Sequence, residues 1–152
     1  MKENRCGNYP KHEFLYNMVV GDGIENVEVA IERLLFALSF RSKLHGTAYI
    51  KEAIELWYDM PSTTHVVLSN DIYPQIAAKM CSTAERVERS IRNALHDCYQ
   101  HGNLLLLNDL VQSDVVSTRY VPTNGEFLSS VVSWLRIQRR EHSRQLSFLR
   151  YL

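Results

Sequence analysis

From Ala84 to Cys98 the apolar residues recur at one spacing. Ala84, Val87, Ile91, Ala94, Leu95 and Cys98 share one face of a helix turning about 100° per residue, and Arg86, Arg89, Asn93, His96 and Gln100 fall on the other. A helix divided in this way must lie lengthwise on a core and turn an arginine-bearing face outward. Upstream, Ile76, Ala77 and Met80 predict a shorter helix, with Asn70 or Asp71 as its cap and Pro74 in the first turn, where a missing N–H costs little. Cys81, Ser82 and Thr83 interrupt the stripe between the two. Ser82 or Thr83 can cap the second helix, Ser82-x-x-Glu85 has capping-box spacing, and Gly102 ends it. Two helices meeting at a tight corner over about 71–101 make a helix-turn-helix. The small Ala77 lets them approach, and Met80, Val87 and Ile91 are expected to fill the angle between them. Cys81 takes the corner where a glycine is usual. The same pattern also suits a plain amphipathic hairpin whose arginines pair with Glu85 and Glu88 at the surface.

The remaining segments supply that core. Residues 1–24 are polar and punctuated by Gly7, Pro10, Gly21 and Gly23, which predicts a mostly unstructured, flexible arm; its short apolar pieces, Phe14-Leu15-Tyr16 and Met18-Val19-Val20, are able to dock on the domain. From Glu25, Val27, Ala30, Ile31, Leu34, Leu35 and Leu38 predict a core helix stopped by His45-Gly46. Thr47 is then placed to cap a helix burying Ile50, Ala53, Ile54 and Trp57 and ending before Pro61. Pro61 to Asn70 reads as a connector. Leu104 to Leu110, apolar almost all round, suits a short buried helix, and Gln112 to Val121 a loop. Thr123-x-x-Glu126 has capping-box spacing before Phe127, Val131, Trp134 and Leu135. The expected fold is all-α: a compact bundle of about six helices over 25–138 containing the helix-turn-helix, followed by a C-terminal extension, 139–152, that is basic first and apolar last. Leu146, Phe148, Leu149 and Leu152 in that extension either fold back on the bundle, fray, or form a dimer contact.

Charge and cysteine content narrow the function. Seventeen basic and seventeen acidic residues cancel, so DNA binding must come from a local patch rather than a basic arm. Cys6, Cys81 and Cys98 form an odd set without framework spacing, which fits a reducing cytoplasm. Cys98-x-x-His101 offers two metal ligands, but no second pair has convincing spacing, and Cys6 with His12 lies in the arm; packed thiols, no metal and no cofactor are the expectation. No apolar run approaches the roughly 20 residues of a membrane span, and no signal-peptide core opens the chain. The histidines His65, His96 and His142 are scattered, without nucleophile, carboxylate pair or phosphate-binding glycine loop, so no enzyme is expected.

Three runs carry a resemblance: HGTAYIKEAIELWY from His45, YPQIAAKM with STAERVERSIRNAL and HGN from Tyr73 to Asn103, and PTNGEF from Pro122. With them, about Val27 to Leu135 resembles the C-terminal DNA-binding effector domain of the sporulation-initiation response regulator of endospore-forming Firmicutes. The resemblance implies a six-helix domain reading promoter boxes of the TGTCGAA type with the helix after the Ser-Thr-Ala corner. It carries base and phosphate contacts onto Arg86, Glu88, Arg89 and Arg92. An arginine fork suits guanine O6 and N7, and a carboxylate can accept from cytosine N4. Arg92, at the flank of the outward face, suits phosphate better than a base edge, Asn93 lies on the outward face, and Ser82 and Thr83 can offer hydroxyl or N–H contacts to phosphate. Glu85 and Asn93 depart from the family, which usually has a small hydroxyl residue and often a histidine there.

The reading is therefore a sequence-specific transcription regulator that enters the major groove with helix 83–101. The alternative is an interaction protein that pairs with or antagonises a related regulator without reading DNA itself. Expected partners are double-stranded promoter DNA, with a second copy on tandem sites and RNA polymerase as further candidates, and no membrane. A receiver domain needs about one hundred or more residues, and only a short arm precedes Glu25, so switching by the chain's own phosphorylation is not expected.

Overall fold

The computed structural model describes residues 8–21 and 23–151. Among them the regular elements are helical: α1 His12–Val19, α2 Val27–Ala37, α3 His45–Asp59, α4 Tyr73–Lys79, α5 Ala84–His101, α6 Leu106–Val111 and α7 Asn124–Leu149, with one π-helical turn, Leu68–Ile72, leading into α4. The central helix is α3, which packs against α2, α4, α5 and α7. Its Ile50, Ala53 and Ile54 are fully buried, as expected, whereas Trp57 is only half-buried and Tyr49 and Tyr58 take its place in the core.

The junction from α2 to α3 differs from the sequence reading. The stop is Ser39, at φ 63°, and the Phe40 N–H returns to the Leu35 carbonyl in the six-to-one bond of a Schellman turn. The buried Leu38 carbonyl accepts from the Asn103 N–H at 2.9 Å and the Cys98 thiol at 3.0 Å, which ties the end of α2 to the end of α5. Burial pushes that thiol up to about 12, so Cys98 is a packed, protonated side chain. His45 and Gly46 do not end a helix; they begin α3, and Thr47 does not cap it but donates to the Arg41 carbonyl at 2.6 Å. Gly46 is required by packing. A Cβ there would overlap the Ser90 carbonyl and lie 2.8 Å from Ala94 Cβ, so α3 and α5 cross backbone to backbone at this point.

The ends of the chain also differ. Residues 12–19 of the expected flexible arm form α1, whose Leu15 and Val19 are buried against α2 and α6; the short apolar pieces do dock. Cys6 lies outside the described residues, as does Leu152. The capping box that opens α7 is present, with Thr123 Oγ1 accepting from the Glu126 N–H at 3.1 Å. The helix then runs unbroken through the boundary drawn at 138. Arg136 fastens it by donating to the Trp57 and Met60 carbonyls at 2.8 and 2.7 Å, at the carboxy end of α3 where helix carbonyls lack a full set of intrahelical partners. Beyond it, Leu146, Phe148, Leu149 and Tyr151 are exposed rather than folded back on the bundle.

Candidate nucleic-acid interface

The corner between α4 and α5 has the backbone a glycine would give, built with Cys81 at φ 53°. Here the Ser82 N–H bonds the Ala77 carbonyl at 2.9 Å, a second Schellman turn, and the cysteine side chain stays exposed. At the start of α4, Pro74 lies in the first turn as expected, but Asp71 does not cap that helix. Its carboxylate accepts from the Val67 N–H at 2.7 Å and closes the π-turn instead. Met80 does not fill the inter-helix angle; it is 37% exposed, and Ile72, Ile76 and Ala77 take the buried positions.

Helix α5 starts at Ala84 because Thr83, in an extended conformation, accepts from the Arg86 N–H at 3.2 Å. Thr83, not Ser82, is the cap. The Ser82 N–H is committed to α4 and so has no proton to offer a phosphate. What the corner presents outward is the Thr83 hydroxyl, with the Ala84 and Glu85 N–H groups at the open helix end.

Along α5, Val87, Ile91, Ala94, Leu95 and Cys98 are buried, and Ala84 half-buried. Arg86, Arg89, Asn93, His96 and Gln100 are all exposed on the other face. Among the described residues Arg86 and Arg89 form no ion pair, whereas Arg92 bonds Glu88 at 2.7 Å one turn away. Glu88 is half-buried at the edge of the stripe, with its side chain 37% exposed and its carboxylate held by Arg92. The two groups are one unit, not two independent contacts.

Asn124, the first residue of α7, is the contributor that sequence reasoning passed over. It is buried, and its Nδ2 donates to the Tyr73 hydroxyl at 3.0 Å and to the Glu88 carbonyl at 3.1 Å. Burial, the largest influence, raises the Tyr73 phenol, so it stays neutral. One amide thus joins α4, α5 and α7 directly beneath the Arg86–Arg92 segment. An asparagine in a capping-box first turn is ordinarily a surface residue, and nothing in the spacing signals its burial.

The arrangement is a rigid helix whose outward face offers fork-shaped donors from its first three turns. The family model described as Sporulation initiation factor Spo0A C terminal matches residues 31–135, more than half of the chain, from within α2 to within α7. Among the described residues no helix is long and apolar enough to cross a membrane. A corner-and-helix unit packed on α3 and α7, with that match running over its whole length, places the chain in the family of the Spo0A C-terminal domain, the DNA-binding effector domain of a sporulation regulator.

Proposed function

We propose that this chain is a sequence-specific DNA-binding regulator that inserts the amino end of α5 into the major groove, with Arg86 and Arg89 reading guanine edges. The observation that carries the reading is the state of these two arginines: exposed, without an ion-pair partner among the described residues, and one turn apart on a helix whose opposite face is locked in the core. Thr83, Ser82 through its hydroxyl, and Arg92 serve the phosphates on either side. Asn93, one turn further on, has donor and acceptor groups for an adenine edge or a phosphate. Glu88 accepts from a cytosine amino group once Arg92 swings from it to the backbone, an exchange that gives up only a few tenths of a kcal/mol for the helical ion pair.

Selection of bound duplexes from a random pool identifies the preferred site, on which the variants are measured across a salt series. Arg89→Ala is expected to cost about 1–3 kcal/mol and relax preference at one base pair, while Arg92→Ala weakens all duplexes alike and lowers the salt slope by about one. The reverse pattern exchanges their roles. If no duplex is enriched and neither variant changes binding, the DNA reading fails and protein pairing takes its place.

A further inference from the structure

The carboxy end of α3 and the middle of α7 border a cleft of about 260 Å³, lined by Tyr58, Ser62, Arg136, Arg139 and Arg140. It shares no residue with the candidate interface on α5, and its three arginines follow the end of the family match at residue 135. Spaced three and four apart, they stand on one side of α7. Two of them are held in place. The Arg139 guanidinium lies over the ring of the buried Tyr58, with Cζ 5.8 Å from the centroid, and its Nη1 donates to the phenol oxygen at 3.4 Å. Arg136 is half-buried and spends Nη2 on the Trp57 and Met60 carbonyls, so its Nη1 and Nε have no partner among the described residues. No carboxylate answers these charges. Among the described residues the ion pairs belong to Arg41, Lys51, Lys79 and Arg92, and neither Asp59 nor Glu141, the acids next to the cleft in sequence, pairs with any of the three. The negative end of α3, worth about half a charge, is met by Arg136. Arg139 and Arg140 remain uncompensated, and Arg136 and Arg140, like charges four apart on a helix, repel.

We propose that this cleft is an anion site that takes a phosphoryl group, the chemistry shared by a free phosphorylated small molecule and a DNA backbone. The lining is rich in donors and carries no acid: guanidinium N–H groups, the Ser62 hydroxyl, and the Tyr58 O–H, whose oxygen already accepts from Arg139 and whose proton is left to give. A carboxylate presents two oxygens in one plane. A phosphoryl group presents three around a tetrahedral centre with up to about two negative charges, which suits forks and hydroxyls brought together from separate segments of the chain. Such a dianion supplies the charge that Arg139 and Arg140 lack and removes the repulsion along α7. Lysine would give a point charge here, whereas the planar forks of arginine fix the orientation of the oxygens as well. The volume leaves room for the phosphoryl group and the first atoms of whatever bears it.

The test is isothermal titration of the full chain, without DNA, with inorganic phosphate and then pyrophosphate at constant ionic strength. Saturable one-to-one binding is expected. Arg139→Gln with Arg140→Gln should weaken it by about tenfold or more, the loss of charge-assisted hydrogen bonds from two guanidinium groups. Arg144→Gln with Arg150→Gln removes the same charge further along α7 and should bind as the wild type does. All four positions are exposed, Arg136 is left in place because it fastens α7 to α3, and unchanged circular dichroism confirms folding. A wild type without saturable binding, a cleft variant that binds as well as wild type, or an equal loss in both variants would each overturn the proposal, the last by reducing the effect to diffuse attraction. The preferred duplex then separates the two sources. If the cleft variant binds it with unchanged affinity and salt slope, the cleft serves a free phosphorylated molecule; a slope lowered by about two assigns it to the DNA backbone. Because phosphate is titrated with no DNA present, failure of the major-groove reading would leave this result standing.

Discussion

Helices α5 and α7 are the two longest in the molecule, at 18 and 26 residues, and both display arginines, yet they are held very differently. The stripe of α5 stays buried from Val87 to Cys98, nearly its whole length, and the Asn124 amide and the Cys98 thiol pin it near both ends. The stripe of α7 stops at Leu135; Arg136 is bonded to the end of α3 and Arg139 to the Tyr58 hydroxyl at 3.4 Å, but Arg144 and Arg150 ride on a stretch, 143–151, in which every residue is exposed. An arginine that must meet a base edge needs a backbone fixed to within a fraction of an ångström, and only α5 supplies one. The end of α7 suits an adaptable contact, where charge and an apolar tip matter more than exact position.

The comparison is broken most completely by removing the anchor of α5. Ile91 is fully buried beside Val87 and Leu95, and Ile91→Asp leaves a carboxylate there without a partner. The cost is on the order of 4 kcal/mol or more, a large share of the stability of a domain this size. Loss of the cooperative thermal transition in circular dichroism is expected. A variant that melts as the wild type does would mean that α5 is not seated as described.

A smaller break tests the crossing at Gly46. Any side chain at that position meets the Ser90 backbone, which cannot swing away as a side chain could, so Gly46→Ala must part α3 from α5. An overpacking cost of about 1–3 kcal/mol in urea denaturation is expected, together with weaker DNA binding at concentrations where the variant is still folded. Full stability would show that the two helices can separate freely there.

These positions also show what was legible in the sequence. The apolar period fixed the buried and exposed faces of α5 correctly, because a long helix repeats its signal over several turns. The capping box at Thr123 located the start of α7 for the same local reason. Gly46 was misread as a stop because its need comes from Ser90, 44 positions along the chain, and a glycine at a crossing is indistinguishable in sequence from a glycine at a helix end. Helix α1 was missed because it is barely two turns long and offers only Leu15 and Val19 as its buried pair. The end of α7 was misjudged because the change from apolar to basic composition was taken for a boundary. Arginine, glutamine, glutamate and leucine are all good helix formers, and neither glycine nor proline occurs after Gly125. In the candidate site, the outward arginines could be named, whereas the Glu88–Arg92 pairing and the Asn124 bridge depend on rotamers and on tertiary contact.

A substitution at Glu85 separates stability from recognition on the same helix. Glu85 is exposed in the first turn of α5, where a carboxylate interacts favourably with the helix amino end but repels an approaching phosphate. Glu85→Ala should lower stability by about 0.3–1 kcal/mol while tightening DNA binding, most visibly at low salt. Weaker binding at every salt concentration would instead make Glu85 a direct contact to the DNA.

The smallest effect on folding is expected at the far end of α7, and it sharpens the comparison from the other side. Leu149 is 61% exposed, so Leu149→Ser removes apolar surface that is already in water and leaves no cavity. Its effect on the unfolding free energy, measured on dilute protein where self-association is negligible, should stay within about 0.5 kcal/mol. The corresponding change on α5, Leu95→Ser, empties a fully buried site and should cost about 2–5 kcal/mol, as other large-to-small core substitutions do. The contrast follows from anchoring, since both leucines stand on good helix-forming sequence and both helices are continuous where they occur. If Leu149→Ser instead destabilised the dilute monomer by more than about 1 kcal/mol, the tip would have to be packed against its own domain in solution.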